Sequence, residues 1–212
     1  MSQPPPTGGS SFSRAASVYE TMLKGSCVNM WLRLALAPAT TKQLAKDNES
    51  QLRAAAVRAL QQASVIHPYL RMRVDVPEEG AVRFVEQNCN GEEAEEDATK
   101  AAEEFVSVGR RNNGDDLDEE AQFQEFRARP WDYSRGTMYI ELLPSSSTGG
   151  NSGGARDDAS ASAVHQQQQL SLFCNVCHAA TDAPGACAML RTFLAYFAHQ
   201  LAADGGALPP PP

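Results

Sequence analysis

The chain has 212 residues, 42% of them hydrophobic, and a formal net charge of −8. This length suits one domain. The acidic balance argues against a general nucleic-acid binder, which needs a basic footprint, and no run of about 18 apolar residues is present to span a membrane.

The charge is unevenly laid out. Residues 91–120 hold twelve acidic side chains and three basic ones, so the rest of the chain is close to neutral. Four stretches have compositions that bury too little apolar surface to offset chain entropy. They are the Pro/Gly/Ser-rich leader 1–13, the acidic segment 91–120, the Ser/Gly/Asn-rich stretch 145–169 with its terminal glutamines, and the Pro-rich tail 203–212. What remains, 14–202 with low-complexity insertions at 91–120 and 145–169, reads as one modest domain. Long insertions are compatible with it because loop-closure entropy grows only logarithmically with length.

In chain order, residues 28–36 (VNMWLRLAL) predict a strand. Residues 49–63 predict a helix: Leu52, Ala55, Ala56, Ala59, Leu60 and Ala63 line one face, with Arg53, Arg58, Gln61 and Gln62 opposite. His67-Pro68 then breaks it. Residues 70–76 and 81–85 read as a hairpin around Glu79-Gly80. A helical turn or two is expected near 98–106, within the acidic segment. Residues 137–143 alternate, with Met138, Ile140 and Leu142 on one side, and residues 170–177 form another strand. Residues 184–201 give an amphipathic helix through Ala186, Met189, Leu190, Phe193, Leu194, Phe197 and Leu201, and Pro184 suits its first turn. This order predicts an α/β fold, a mixed sheet with helices packed on it.

Five cysteines, an odd number, occur with no visible export signal. Reduced thiols and a cytoplasmic location are expected. The first 19 residues lack acids and are rich in serine, as in transit peptides, but Arg14 is their only base.

The densest cluster of chemical groups is Cys174-Asn-Val-Cys177-His178-Ala-Ala-Thr-Asp182. Its C-x-x-C-H spacing matches a covalent haem attachment site, and a C-x-x-C pair could begin a zinc site. Strand geometry opposes both, because side chains three apart on a strand point to opposite faces. Zinc also lacks a second pair, since Cys187 and His199 are twelve apart. No metal is expected. The third reading is H-x-x-x-D, His178 to Asp182, at the end of a strand and before an amphipathic helix.

On that motif and its surroundings the chain resembles the N-terminal half of the condensation-domain and alcohol-acyltransferase superfamily, relatives of chloramphenicol acetyltransferase. The family signature is H-H-x-x-x-D-G, degenerate here as CHAATDA. Residues 14–20 look like the family's opening strand. LRAAAVRALQQASVIHPYLRMRV (52–74) is similar to its first helix and H-P-x-L-R-x-R-V stretch, FRARPWDYSRGTMYIELL (126–143) to its R-P-F-D-x-x-x-G-P-L segment, and 170–197 to its motif strand and helix.

The resemblance implies a single chloramphenicol-acetyltransferase-like lobe and acyl transfer from a thioester, acyl-CoA or acyl carrier protein, to a small alcohol or amine. No bound cofactor is implied. His178 matches the general base, a role suited to an imidazole's ordinary pKa of about 6.5. Asp182 matches the structural aspartate that ties the motif loop to an arginine, with Arg71 or Arg73 as partner and Arg14 as a weaker candidate. Cys177 replaces the first motif histidine, and Ala183 replaces the motif glycine with Gly185 close behind. If position 183 required a positive φ, alanine would strain the loop.

Nothing resembles the second lobe of two-lobe members. A homo-oligomer, as in chloramphenicol acetyltransferase, or a missing C-terminal lobe would have to complete the site. The alternative is a non-catalytic half-domain, an incomplete product or an interaction module. Plainer roles are expected elsewhere: a turn at His67, core positions for Trp131, Cys187, Phe193, Leu194 and Phe197, and no function for His165 or His199.

Overall fold

A computed structural model describes residues 13–17, 23, 26–36, 48–76, 82–86, 102–109, 116–144 and 169–202. The elements are β1 (Ser13–Ala15), β2 (Cys27–Ala35), α1 (Asn48–Ile66), a 3-10 turn (Pro68–Arg71), β3 (Met72–Asp75), β4 (Arg83–Glu86), β5 (Val106–Val108), α2 (Asp116–Ala128), β6 (Met138–Pro144), β7 (Gln169–Cys177) and α3 (Ala183–Leu201). One sheet has the order β2-β7-β6-β5, antiparallel except for the parallel β5–β6 pair. A smaller antiparallel sheet has the order β1-β4-β3. The expected α/β fold with a mixed sheet is what the chain adopts.

Strand β7 lies between β2 and β6 and is buried from Leu170 to Cys177. Its alternation sorts the interior. Leu170, Leu172, Cys174 and Val176 join Met138, Ile140 and Leu142 of β6 in the main core, under α1 and α3. The alanine-rich face of α1 brings it close to α3, and the predicted positions Leu52, Ala55, Ala56, Ala59, Leu60 and Ala63 are all buried. On α3, Ala186, Met189, Leu190, Phe193 and Phe197 are buried and Leu194 and Leu201 half-buried. Each wholly buried phenylalanine contributes on the order of 1.5–3 kcal/mol.

The opposite face of β7 presents Ser171, Phe173, Asn175 and Cys177. Phe173 packs with Phe126 of α2 and Leu143. Trp31 of β2 meets Phe173 edge-on at 5.9 Å. Cys177 joins Met72, Val74 and Phe84 of the small sheet, Tyr133, Ala179 and Ala180. The small sheet therefore packs on the end of β7 where His178 follows.

Three expectations change. The helical turn expected near 98–106 is found at residues 102–105, but the acidic segment is not wholly outside the core: Val106 already belongs to β5, which pairs with β6, and Ala102, Phe105 and Val106 are buried. α2 also begins inside the segment, where buried Glu119 forms an ion pair with Arg33 at 3.2 Å. Cys187 is exposed rather than in the core, because it sits one residue past Ala186, off the apolar stripe of α3. The hairpin pairs as expected, Met72 with Glu86 through Asp75 with Arg83, although its Glu79-Gly80 turn lies outside the described residues. So do residues 18–20 of the opening strand, His165, and residues 1–12, 91–101, 145–168 and 203–212.

Candidate active site

His178 is the first residue beyond β7. Its backbone N–H donates to Ser26 O at 2.9 Å, extending the β2–β7 ladder by one rung. The chain then turns, with Ala180 N donating to Cys177 O at 3.1 Å. This places the half-buried imidazole over the turn, with Nδ1 3.1 Å from Thr181 O. A carbonyl oxygen can only accept, so Nδ1 carries the hydrogen and the neutral ring keeps its lone pair on Nε2. Among the described residues no hydrogen bond engages Nε2. A histidine held this way can remove a proton from a group placed at Nε2.

Asp182 ends the turn and caps α3. Its Oδ1 accepts from Gly185 N at 2.8 Å, and its carbonyl accepts from Ala186 N at 2.9 Å. A carboxylate at this position satisfies an amide that has no helical partner and faces the positive end of the helix dipole. Ala183 and Pro184 form the first helical turn, so alanine in place of the family glycine adopts ordinary helical backbone there. The requirement for glycine falls on residue 185: a Cβ at that position would lie 2.0 Å from Thr181 Oγ1.

The arginines expected to partner Asp182 are placed elsewhere. Arg71 is held by Glu86, with Nη2 at 2.8 Å and Nε at 3.1 Å from Oε1, and also donates to Ser64 O. The hairpin register explains this, since Glu86 stands opposite Met72, the neighbour of Arg71. Arg73 projects from the exposed side of β3. Arg14 lays its guanidinium 4.8 Å over the Phe84 ring. Among the described residues no ion pair joins Asp182 to Arg71 or Arg73, and the carboxylate serves as a cap.

Cys174 and Cys177 lie on opposite faces of β7, one in the core under the helices and the other against the small sheet. No single haem or metal ion could be reached by both. Burial pushes both thiols above the ordinary range. His67 leads into the 3-10 turn as expected, and its Nε2 also lies 2.9 Å from Thr192 Oγ1 on α3. Half-buried Trp131 packs against Phe126 and Tyr139, at ring-centroid distances of 4.7 and 4.6 Å. His199 is half-buried near the end of α3.

A polar row beneath the site was not foreseen. Tyr133 Oη donates to Asn175 Oδ1 at 2.7 Å, Asn175 Nδ2 to Asn29 Oδ1 at 2.8 Å, and Asn29 Nδ2 to Cys27 Sγ at 3.1 Å. The signal was present as one asparagine in each of two apolar strands. Only the register, Asn29 opposite Asn175, brings them together.

No protein-family model and no curated protein sequence matches the chain. Solved structures do. The trichothecene 15-O-acetyltransferase TRI3 from Fusarium sporotrichioides superposes with a TM-score of 0.58 at 16% identity, over 91% of this chain and 36% of that one. The F. sporotrichioides protein TRI101, solved with coenzyme A and T-2, gives 0.50 at 12% identity, over 88% of this chain and 41% of its own. The starter condensation domain of rhizomide synthetase RzmA gives 0.51 at 12% identity, over 88% and 37%. The chain thus has the chloramphenicol-acetyltransferase-like fold shared by acetyltransferases and condensation domains, and spans 36–41% of the length of these neighbours.

Proposed function

We propose that the chain takes part in acyl transfer from a thioester to an alcohol or amine, with His178 as the general base. The observation that carries this reading is the contact between His178 Nδ1 and Thr181 O at 3.1 Å. It sets the tautomer a base requires, at the end of the strand that precedes α3. The fold shared with an O-acetyltransferase and a condensation domain supports the same chemistry.

In this reading Nε2 accepts the acceptor's O–H or N–H proton as that atom attacks the thioester carbonyl. The tetrahedral intermediate collapses with cleavage of the C–S bond, and the imidazolium returns the proton to the departing thiolate. The co-substrate is an acyl-CoA or an acyl carrier protein thioester. TRI101, whose crystal structure holds coenzyme A and T-2, supports a coenzyme A ester as the co-substrate. Asp182 holds the motif loop by capping α3, and the cytoplasm remains the proposed location. The second face of the site comes from another lobe or another copy of the chain. Positioning of two reactants accounts for about 7–11 kcal/mol of barrier when it is complete.

The test is thiol release from acetyl-CoA in the presence of a panel of alcohols and amines, for the wild type and His178→Ala. Acceptor-dependent release that falls by a factor of about 100 or more in the variant is expected for a lost general base. Equal release from both proteins refutes the assignment of the base. Absence of release from wild type in every oligomeric state favours the non-catalytic module.

A further inference from the structure

Cys27 and Cys177 stand directly opposite each other in the β2–β7 ladder. The kind of rung they occupy follows from the hydrogen bonds around it. His178 N–H donates to Ser26 O, so residues 26 and 178 occupy a hydrogen-bonded position of the ladder, although Ser26 N–H turns back to Leu23 O. Antiparallel ladders alternate, which makes the next rung, 27 and 177, a non-hydrogen-bonded pair. The amide of Cys177 agrees: it points away from β2 and donates to Thr137 O at 2.8 Å.

Non-hydrogen-bonded pairs bring their Cα atoms to about 4.5 Å and project both side chains from the same face. That separation lies inside the roughly 4.4–6.8 Å range a disulfide spans. Both residues pack in the same cluster around Tyr133, and both thiols are free. Cys174 is on the other face of β7, and Cys187 is exposed on α3. The pair is also asymmetric. Cys27 is half-buried and within reach of a small oxidant, whereas Cys177 is fully buried behind it.

We propose that Cys27 and Cys177 form a reversible disulfide under peroxide, bridging β2 to β7 at the residue before His178. In the first step the Cys27 sulfur attacks a peroxide oxygen. The O–O bond breaks, giving a sulfenic acid and one water. In the second step the Cys177 sulfur attacks the Cys27 sulfur and displaces hydroxide, which takes the Cys177 proton and leaves as the second water. Two thiols lose two electrons, and one hydrogen peroxide becomes two waters. A dithiol reductant reverses the bond by exchange. In a reducing compartment such a bond is transient and serves as a sensor.

The experiment treats the reduced, full-length chain with hydrogen peroxide, blocks remaining thiols after denaturation, and maps peptides without reduction. The expected result is a loss of two hydrogen masses and one link, which fragmentation assigns to Cys27 and Cys177, with the other three cysteines, Cys89, Cys174 and Cys187, still alkylated. Dithiothreitol restores both thiols. Cys187→Ser leaves the link intact, and Cys27→Ser abolishes it while Cys177 remains alkylatable. A wild-type map in which Cys27 ends as a sulfinic acid beside a free Cys177, or is joined to a different cysteine, overturns the proposal without recourse to any variant.

Discussion

The Asp182 carboxylate accepts the Gly185 amide at 2.8 Å, and that contact leaves no room for a side chain at 185. A Cβ there would lie 2.0 Å from Thr181 Oγ1, on the residue whose carbonyl orients His178. In an open helical turn Gly→Ala stabilises by about 1 kcal/mol. Here the clash wins, and Gly185→Ala should destabilise by about 1–3 kcal/mol, the usual cost of overpacking. Added to Thr181→Ala, which removes the hydroxyl, the same substitution should become neutral or stabilising. Urea unfolding of the four proteins in this cycle measures the reversal, and a destabilisation unchanged in the Thr181→Ala background would locate the cause elsewhere.

Asp182 works as a helix cap, so its charge should matter less than its shape. Asp182→Asn keeps an oxygen for the Gly185 amide and should stay within a few tenths of a kcal/mol of wild type. Asp182→Ala should lose about 1 kcal/mol, typical of a removed cap. An ion pair with an arginine predicts the other pattern, in which both variants lose equally. Thermal unfolding at matched ionic strength separates the two.

At alkaline pH the buried phenols add to the decline that the buried thiols Cys174 and Cys177 begin, since burial raises those as well. Burial, with the Asp132 charge behind it, pushes Tyr139 up to about 12. Burial, with the neighbouring Cys27 and Cys177, raises Tyr133 further. Both folded values lie above that of an unfolded tyrosine, about 10. The unfolded chain therefore releases these protons first. The stabilisation is fully present below about pH 10 and is lost as the pH rises toward 12. Tyr139→Phe should flatten the decline in urea midpoint between pH 9.5 and pH 11, a window set by the ordinary tyrosine value of about 10. A slope unchanged in both Tyr139→Phe and Tyr133→Phe would remove the tyrosines as its source.

Periodicity made much of the fold legible. The alanine and leucine stripe of α1, the alternation of β6 and the apolar face of α3 each contain enough repeats to fix type and orientation. The cap at Asp182 was visible because capping is local in sequence. β5 was hidden because acidic composition masks apolar positions as sparse as Val106 and its neighbours Ala102 and Phe105, and α2 because its first turns are acidic and its buried Phe126 comes late. Glu119 shows why counting charges is insufficient: Trp31 Nε1 donates to it at 3.1 Å, Ser171 also bonds it, and Arg33 pairs with it, so an acid in an acidic run is buried. The partner of Arg71 was missed for a different reason. Glu86 is fifteen residues away and reaches it only through the β3–β4 register, which a local reading does not supply. His178 was found as a candidate base from its motif, whereas the carbonyl that orients it depends on the three-dimensional turn.

The amides of Asn29 and Asn175 carry a consequence for how the chain finds its fold. Strands of valine, leucine and methionine can pair in several offsets with little difference in buried area. Sliding β2 along β7 by one residue would turn Asn29 toward α1 and α3, among Leu172, Cys174 and Val176, while Met30 moved to the side now lined by Tyr133. Each stranded amide would cost about 1–3 kcal/mol. The asparagines that weaken the apolar pattern of each strand thereby penalise misaligned pairings during assembly, and the offset that survives is the one that brings Ser26 beside His178.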